Sequence, residues 1–226
     1  MRYDTLLFDL DGTLLDFDAS EAVALAAVMA EHDIPLTAQL RETYKEINDA
    51  LWAQHDRGEV TLAELFAARF TRTFERLGIE ADGVALEAQY RRYLGEKACP
   101  MEGAAALCQS LHGRCRLYVV TNGERETQLA KLTGIGLLPL FDQVFDSESV
   151  GARKPEPAYF AHLAASIPDF DPARTLLIGD SLTTDIAGGN AAGLDTCWLT
   201  AAPVAGEQPS TYVIRKLSEL PAILEA

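Results

Sequence analysis

Short apolar runs, each ending at a polar residue, alternate along the chain with longer segments whose apolar positions recur every three or four residues. The first run, Tyr3–Phe8, stops at Asp9 and reads as a buried strand. Similar runs lie at Arg116–Val120, Thr175–Ile178 and Asp195–Leu199, with helical periodicity at Glu124–Leu132, Pro157–Ser166 and Thr184–Ala192. Strands alternating with helices predict βαβ units and a parallel sheet covered on both faces. Residues 16–96 break this rhythm. Four helical stretches follow one another there without an intervening strand, with apolar residues such as Leu40, Tyr44, Ile47 and Leu51, then Leu62, Leu65, Phe66 and Phe70. Asp18 with Glu21, and Thr61 with Glu64, have the spacing of capping boxes, and Gly78 is placed to end the third helix. Phe66 and Phe70 lie one turn apart and read as core of this helical unit. The expected fold is α/β: a doubly wound parallel sheet from residues 1–15 and 97–226, with an all-α insert at 16–96. Gly188 and Gly189 cost about 1 kcal/mol each inside a helix, and close packing on the sheet is the expected reason. Ala201–Ser210 reads as a loop.

Composition narrows the partners. A chain of 226 residues suits one domain or a domain plus an insert, and 48% apolar with 23% charged residues is ordinary for a globular protein. The 19 Lys and Arg face 34 Asp and Glu, a net charge of −15. Such a chain repels nucleic acid and anionic membranes, and any phosphate site in it must gather cations locally. No apolar stretch approaches roughly 18 residues, so neither a membrane span nor a signal peptide is expected. Cys99, Cys108, Cys115 and Cys197 form no Cys-x-x-Cys, and they share no zinc-like spacing with His32, His55, His112 and His162. Reduced structural thiols and a cytoplasmic location are expected.

The chemistry gathers where the strands end, because ligands of an open parallel sheet sit beyond the strands' carboxyl ends. The first strand finishes in Asp9-Leu10-Asp11-Gly12-Thr13, the second in Thr121-Asn122-Gly123, and a later one in Gly179-Asp180-Ser181 with Asp185 following. Lys154-Pro155 lies in the loop before another helix. Four acids, a hydroxyl and a lysine thus converge on one rim. Carboxylates this close share a proton or hold a cation, and oxygen ligands of this hardness suit Mg²⁺. An EF-hand is excluded, since the twelfth position from Asp9 is Ser20 rather than Glu.

Taken together, Asp9-Leu10-Asp11-Gly12-Thr13, Thr121, Lys154 and Gly179-Asp180 with Asp185 resemble the four motifs of the haloacid dehalogenase (HAD) superfamily. The helices after the first motif resemble that family's C1-type cap. The resemblance spans essentially the whole chain and implies a Rossmann-like core with a substrate-selecting cap at 16–96. More narrowly, Asn48…Leu51-Trp52, Arg69-Phe70, Val120-Thr121-Asn122-Gly123 and the stretch Asn190–Leu199 resemble bacterial pyrimidine 5′-nucleotidases. Gly12 departs from them: it fits the general HAD motif, where the nucleotidases carry Glu.

The resemblance implies a mechanism. Asp9 would attack phosphorus to form an aspartyl-phosphate, and Asp11 would protonate the leaving alkoxide and then deprotonate water. Mg²⁺ would be held by Asp9, Asp180 and the Asp11 backbone carbonyl. Lys154 would add positive charge, Thr121 a hydrogen bond to a phosphoryl oxygen, and Asp185 would orient Lys154 or a metal-bound water. Asn122, Gly123, Phe17, Asn48 and Trp52 are the expected substrate contacts, Asn48 and Trp52 sharing a helix face as amide and aromatic plane. The expected substrate is a pyrimidine nucleoside monophosphate, handled by a monomer or weak homo-oligomer. A phosphoglycolate or sugar-phosphate phosphatase shares the same core motifs. A 2-haloacid dehalogenase would leave Asp11, Asp180 and Asp185 without purpose, and a non-catalytic phospholigand-binding protein would not need the full set.

Overall fold

The buried strand at the start of the chain becomes the middle of a sheet. β1 (Thr5–Phe8), β2 (Arg116–Thr121), β3 (Gln143–Asp146), β4 (Thr175–Gly179), β5 (Asp195–Leu199) and β6 (Tyr212–Ile214) pair in the order 3-2-1-4-5-6, every pairing parallel. The computed structural model describes residues 2–204 and 206–225, so Met1, Ala205 and Ala226 lie outside the described residues. Leu7 of β1 aligns with Tyr118 on one side and Leu177 on the other. Because strand side chains alternate between faces, Leu6 and Phe8 join Leu117, Val119, Leu176 and Ile178 in one core layer. Leu7 joins Tyr118, Val120 and Leu177 in the other. Helices α5 (Ala104–Leu111) and α10 (Leu220–Glu225) contribute to the first layer. Helix α8 (Pro157–Ser166) contributes to the second, through Tyr159, Phe160 and Leu163.

Between β1 and α5 stand four helices: α1 (Phe17–Glu31), α2 (Ala38–Asp56), α3 (Leu62–Leu77) and α4 (Gly83–Glu96). They bury a core of their own around Val28, Tyr44, Phe70, Phe74 and Tyr90. The Thr61–Glu64 capping box forms, and Gly78 ends α3 at φ 64°. The pairing of Asp18 with Glu21 does not form. Asp16 caps α1 by accepting from Ala19 N, whereas Glu21 is buried and accepts from Asn48 and Tyr90. Phe70 is fully buried as expected, but Phe66 is only half-buried and faces a cavity.

The sequence pattern gives no sign of the two edge strands: β3 carries only two apolar residues, Val144 and Phe145, and β6 is three residues long. Helices α6 (Arg125–Gly134) and α7 (Ser147–Val150) flank β3. The helix expected at Thr184 begins instead with a wide π-helical turn at Leu182–Ile186 and continues as α9 (Ala187–Ala191). A Cβ on Gly188 would lie 2.6 Å from Phe160, and one on Gly189 2.6 Å from Thr196 of β5, so close packing does demand both glycines. All four cysteines are free thiols. Among the described residues no helix is long and apolar enough to cross a membrane.

Candidate active site

In this strand order β1 is flanked by β2 and β4, and the chain winds away from it in both directions. The crevice at such a switch point, past the carboxyl ends, is where open α/β sheets bind ligands. Asp9 follows β1 directly and extends its ladder, its N–H donating to Ile178 O at 2.9 Å. The chain then turns tightly: Leu14 and Leu15 N donate to Leu10 O at 2.9 Å, and Gly12 N to Leu15 O at 2.8 Å.

Lys154 is buried and all three of its ammonium hydrogens have partners: Asp9 Oδ1 at 2.6 Å, Asp185 Oδ1 at 2.6 Å and Val120 O at 2.8 Å. Burial opposes its charge, but the Asp185 and Asp9 carboxylates outweigh it and hold the ammonium above its ordinary range. Asp185 is also buried, and its second oxygen accepts from Ser181 N at 3.1 Å. Burial, with the Asp185 and Asp180 charges behind it, pushes Asp9 well above the usual carboxylate range despite Lys154. Asp180 stands at the open edge of the crevice, its carbonyl fixed by Trp198 Nε1 at 2.8 Å. Lost hydration, then the Asp185 charge, push its carboxyl up to about 6.

Asp9, Asp180 and Asp185 each offer a carboxylate oxygen, the three lying within 4.8 Å of one another. The Asp185 oxygens are already engaged, so Asp9 and Asp180 are the pair left for a cation. Gly12, at φ +88°, makes room for them: a Cβ there would sit 2.5 Å from Asp180 Oδ2. The donors are carboxylates alone, without imidazole or thiolate, which fits Mg²⁺ better than a softer ion. Charge balance agrees, since seven acids and four bases line the cavity above.

Thr121, at the end of β2, is buried, and its Oγ1 accepts from Gly123 N at 3.1 Å and Gln128 Nε2 at 2.6 Å. Asp11 is held from α6: Lys131 Nζ donates to both its oxygens at 2.7 and 2.9 Å, and Gln128 Nε2 to Oδ2 at 2.8 Å. The Lys131 ammonium lies 5.1 Å from the Phe17 ring centre, joining the first helix of the insert to this cluster. Asn122, expected at the substrate, commits its amide elsewhere. It accepts from Lys154 N at 2.8 Å and donates to Lys154 O at 2.9 Å and Asp56 Oδ1 at 3.3 Å. That fixes the lysine loop against β2.

The helical insert closes the crevice into a cavity of about 350 Å³, with Asp9, Thr121, Lys154 and Asp180 on one side and Phe17, Asn48, Trp52 and Phe66 on the other. Arg69 also lines the cavity; it is buried and paired with Glu87 through two bonds of 2.7 and 2.5 Å. It donates to Asn48 Oδ1 at 3.3 Å, while Asn48 Nδ2 donates to Glu21 at 3.3 Å, so the amide's orientation is set. Phe66 lies within reach of two guanidinium groups, Arg69 at 5.2 Å and Arg91 at 4.8 Å. Those contacts and its packing on Ile47, Leu51 and Leu65 seat the ring between an apolar cluster of the insert and the cavity. Arg91 in turn pairs with Glu124, the residue that precedes α6 of the sheet unit.

Residues 3–193 match the haloacid dehalogenase-like hydrolase family. The chain belongs to that family. Among its relatives, the HAD-hydrolase YfnB of Bacillus subtilis is 46% identical over 225 residues, covering 99% of this chain and 96% of YfnB. A magnesium-bound crystal structure of YfnB matches this one with a TM-score of 0.91 over all of both chains. The pyrimidine 5′-nucleotidase PynA of Streptococcus pneumoniae is 42% identical over 199 residues, 88% of this chain and 84% of PynA. The pyrimidine 5′-nucleotidase YjjG of Escherichia coli is 32% identical over 228 residues, 99% of each.

Several residues of this HAD hydrolase's crevice carry no sequence motif. Gln128 and Lys131 occupy adjacent turns of α6, a spacing that in retrospect marks one polar, inward face. Arg69 interrupts the apolar stripe of α3, and a charge in such a stripe demands a partner; Glu87, on the next helix, supplies it.

Proposed function

We propose that this HAD hydrolase is a Mg²⁺-dependent phosphomonoesterase that cleaves pyrimidine nucleoside 5′-monophosphates such as UMP, dUMP, dTMP and modified analogues. One observation carries the reading: a single cavity has a carboxylate, hydroxyl and lysine set on its floor and an aromatic and amide wall opposite. Phosphate chemistry and base recognition fit its two sides, and two relatives, PynA and YjjG, are named pyrimidine 5′-nucleotidases.

In this reading an Asp9 oxygen attacks phosphorus and the ester P–O bond breaks, leaving the phosphoryl group on Asp9. The departing 5′-oxygen takes a proton from Asp11. Water then gives a proton to Asp11 and attacks phosphorus, the bond to Asp9 breaks, and orthophosphate leaves. Asp9 and the substrate dianion repel by about 4 kcal/mol per charge pair at 4 Å for an effective dielectric near 20. Mg²⁺ would be held by Asp9, Asp180 and the Asp11 carbonyl and would supply positive charge against that repulsion. Lys154, anchored by Asp185, keeps the Asp9 carboxylate aimed, and Thr121 donates to a phosphoryl oxygen. Residues 16–96 act as the substrate-selecting cap, with Trp52 and Phe66 stacking on the base and Asn48 at its edge; Gly123 leaves backbone open beside the phosphate. The free thiols fit a reducing, cytoplasmic setting, and a monomer or weak homo-oligomer is the assembly proposed with it.

A phosphate-release assay across nucleotides, sugar phosphates and phosphoglycolate, with Mg²⁺ and with chelator, tests this. Pyrimidine monophosphates should give the highest kcat/KM, and chelator should abolish release. A preference for phosphoglycolate or a sugar phosphate would overturn the nucleotidase reading while keeping the phosphatase.

A further inference from the structure

The geometry points to Gln128 as a positioning residue that fixes the Thr121 hydroxyl as a donor toward the phosphoryl group and ties Asp11 to the same frame. This rests on the phosphomonoesterase reading above. Gln128 is buried to 1% exposure on α6 and lines the cavity. Its Nε2 spends both hydrogens inside the site, on Thr121 Oγ1 at 2.6 Å and Asp11 Oδ2 at 2.8 Å. A hydroxyl has two acceptor lone pairs and one hydrogen. Thr121 Oγ1 already receives two donors, Gln128 Nε2 and Gly123 N. Only its hydrogen remains to be placed, and a phosphoryl oxygen is the acceptor that the cavity admits.

Two further observations support the assignment. The amide cannot turn over without cost, because its Oε1 would then face the Asp11 carboxylate, acceptor against acceptor. In the observed orientation Oε1 is buried without a hydrogen-bond partner, a penalty that the position of Nε2 explains. The backbone is also shaped around this amide. A Cβ on Gly123 would lie 2.1 Å from Gln128 Nε2, so any other residue at 123 would push the amide off both partners. Lys131 also bonds both Asp11 oxygens, so Asp11 keeps an anchor when Gln128 is changed; what Gln128 adds is the link between the acid and the hydroxyl, both of which must meet the same phosphate.

Gln128→Leu keeps the volume and removes the amide, and Gln128→Glu keeps the shape and reverses one hydrogen bond, since a carboxylate would capture the Thr121 hydrogen. Both variants, Thr121→Val and the double variant Gln128→Leu/Thr121→Val are assayed on UMP, alongside their Tm. The expected result is a kcat loss of roughly tenfold or more for Gln128→Leu, below the 10²–10³ typical of deleting a direct donor, with KM within about threefold. Gln128→Glu should lose at least as much, and the double variant should fall no more than about twofold below Thr121→Val, because both changes remove one interaction. Wild-type kcat in Gln128→Leu, recovery in Gln128→Glu, or losses that multiply in the double variant would each overturn the assignment. A wild-type protein that releases no phosphate from any ester would overturn the phosphomonoesterase reading, and the assignment with it.

Discussion

If the helical insert selects substrate as proposed, Trp52 is where its selectivity and its stability can be told apart. The indole is half-buried, lines the cavity, and packs beside Ile47, Leu51 and Leu65, with His55 edge-on at a ring separation of 5.7 Å. If a base stacks on it, Trp52→Ala removes about 1–3 kcal/mol of binding, which at about 1.4 kcal/mol per decade raises KM by about one to two decades. The same change leaves a void. Fully buried, it would cost roughly 3–5 kcal/mol; half-buried, about 2 kcal/mol, or a Tm lower by roughly 4–8 °C for a chain of this length. The assay compares kcat/KM for UMP and for glycerol phosphate, well below Tm. UMP should suffer the full loss and the base-free ester almost none, since the floor of the cavity is untouched. Equal losses on the two substrates, or a lower Tm with unchanged selectivity, would return Trp52 to the packing of the cap.

Other expectations follow from the same geometry. Asp11→Asn should slow UMP hydrolysis far more than formation of the phosphoenzyme from 4-nitrophenyl phosphate, whose leaving group departs unprotonated; equal burst-phase losses would contradict the proton-donor role. Glu87→Gln leaves the buried Arg69 charge without its carboxylate, so thermal unfolding should fall by roughly 6–20 °C for a loss of about 3–5 kcal/mol. Replacing both residues by Met should recover most of that stability, and a Glu87→Gln protein that melts like wild type would refute the pairing's importance. Asp180, lifted to about 6, must shed its proton to bind a cation. Mg²⁺ affinity measured by calorimetry should therefore weaken about tenfold from pH 7 to pH 5. In the metal-free protein the sign reverses: a raised carboxyl pKa stabilises the fold below about 4, and that contribution disappears as pH rises through about 6. Mg²⁺ affinity that is flat across this range would contradict the ligand assignment.

Much of the site could be read from the sequence because Asp9, Thr121 and Asp180 stand at the ends of strands. Apolar runs ending in Asp9, Thr121 and Asp180 place those side chains on one rim by topology alone, and Lys154 joins through a loop that the Asn122 amide fixes. What escaped were groups whose role depends on a partner far away in the chain. Gln128 and Lys131 look like ordinary surface positions until α6 is laid beside the Asp9–Leu15 turn, more than a hundred residues earlier. Glu21 has the spacing of a cap residue, yet the cost of burying it is met by Asn48 and Tyr90 on other helices. Phe66 obeys the helical period of a core residue and does pack on Ile47, Leu51 and Leu65, but two arginines of the same unit meet its ring where it also lines the cavity. β3 and β6 pair only at sheet edges, where few residues suffice and no period can form.

The central claim is that Asp9 carries the phosphoryl group. Wild-type protein mixed with Mg²⁺ and UMP bearing a radiolabelled phosphate, then quenched in acid within milliseconds, should retain label on the polypeptide, released by hydroxylamine as an acyl phosphate must be and confined to the peptide containing Asp9. Asp9→Asn, folded to the same Tm, should retain none. Label on any other residue, or steady UMP hydrolysis by Asp9→Asn, would contradict the account.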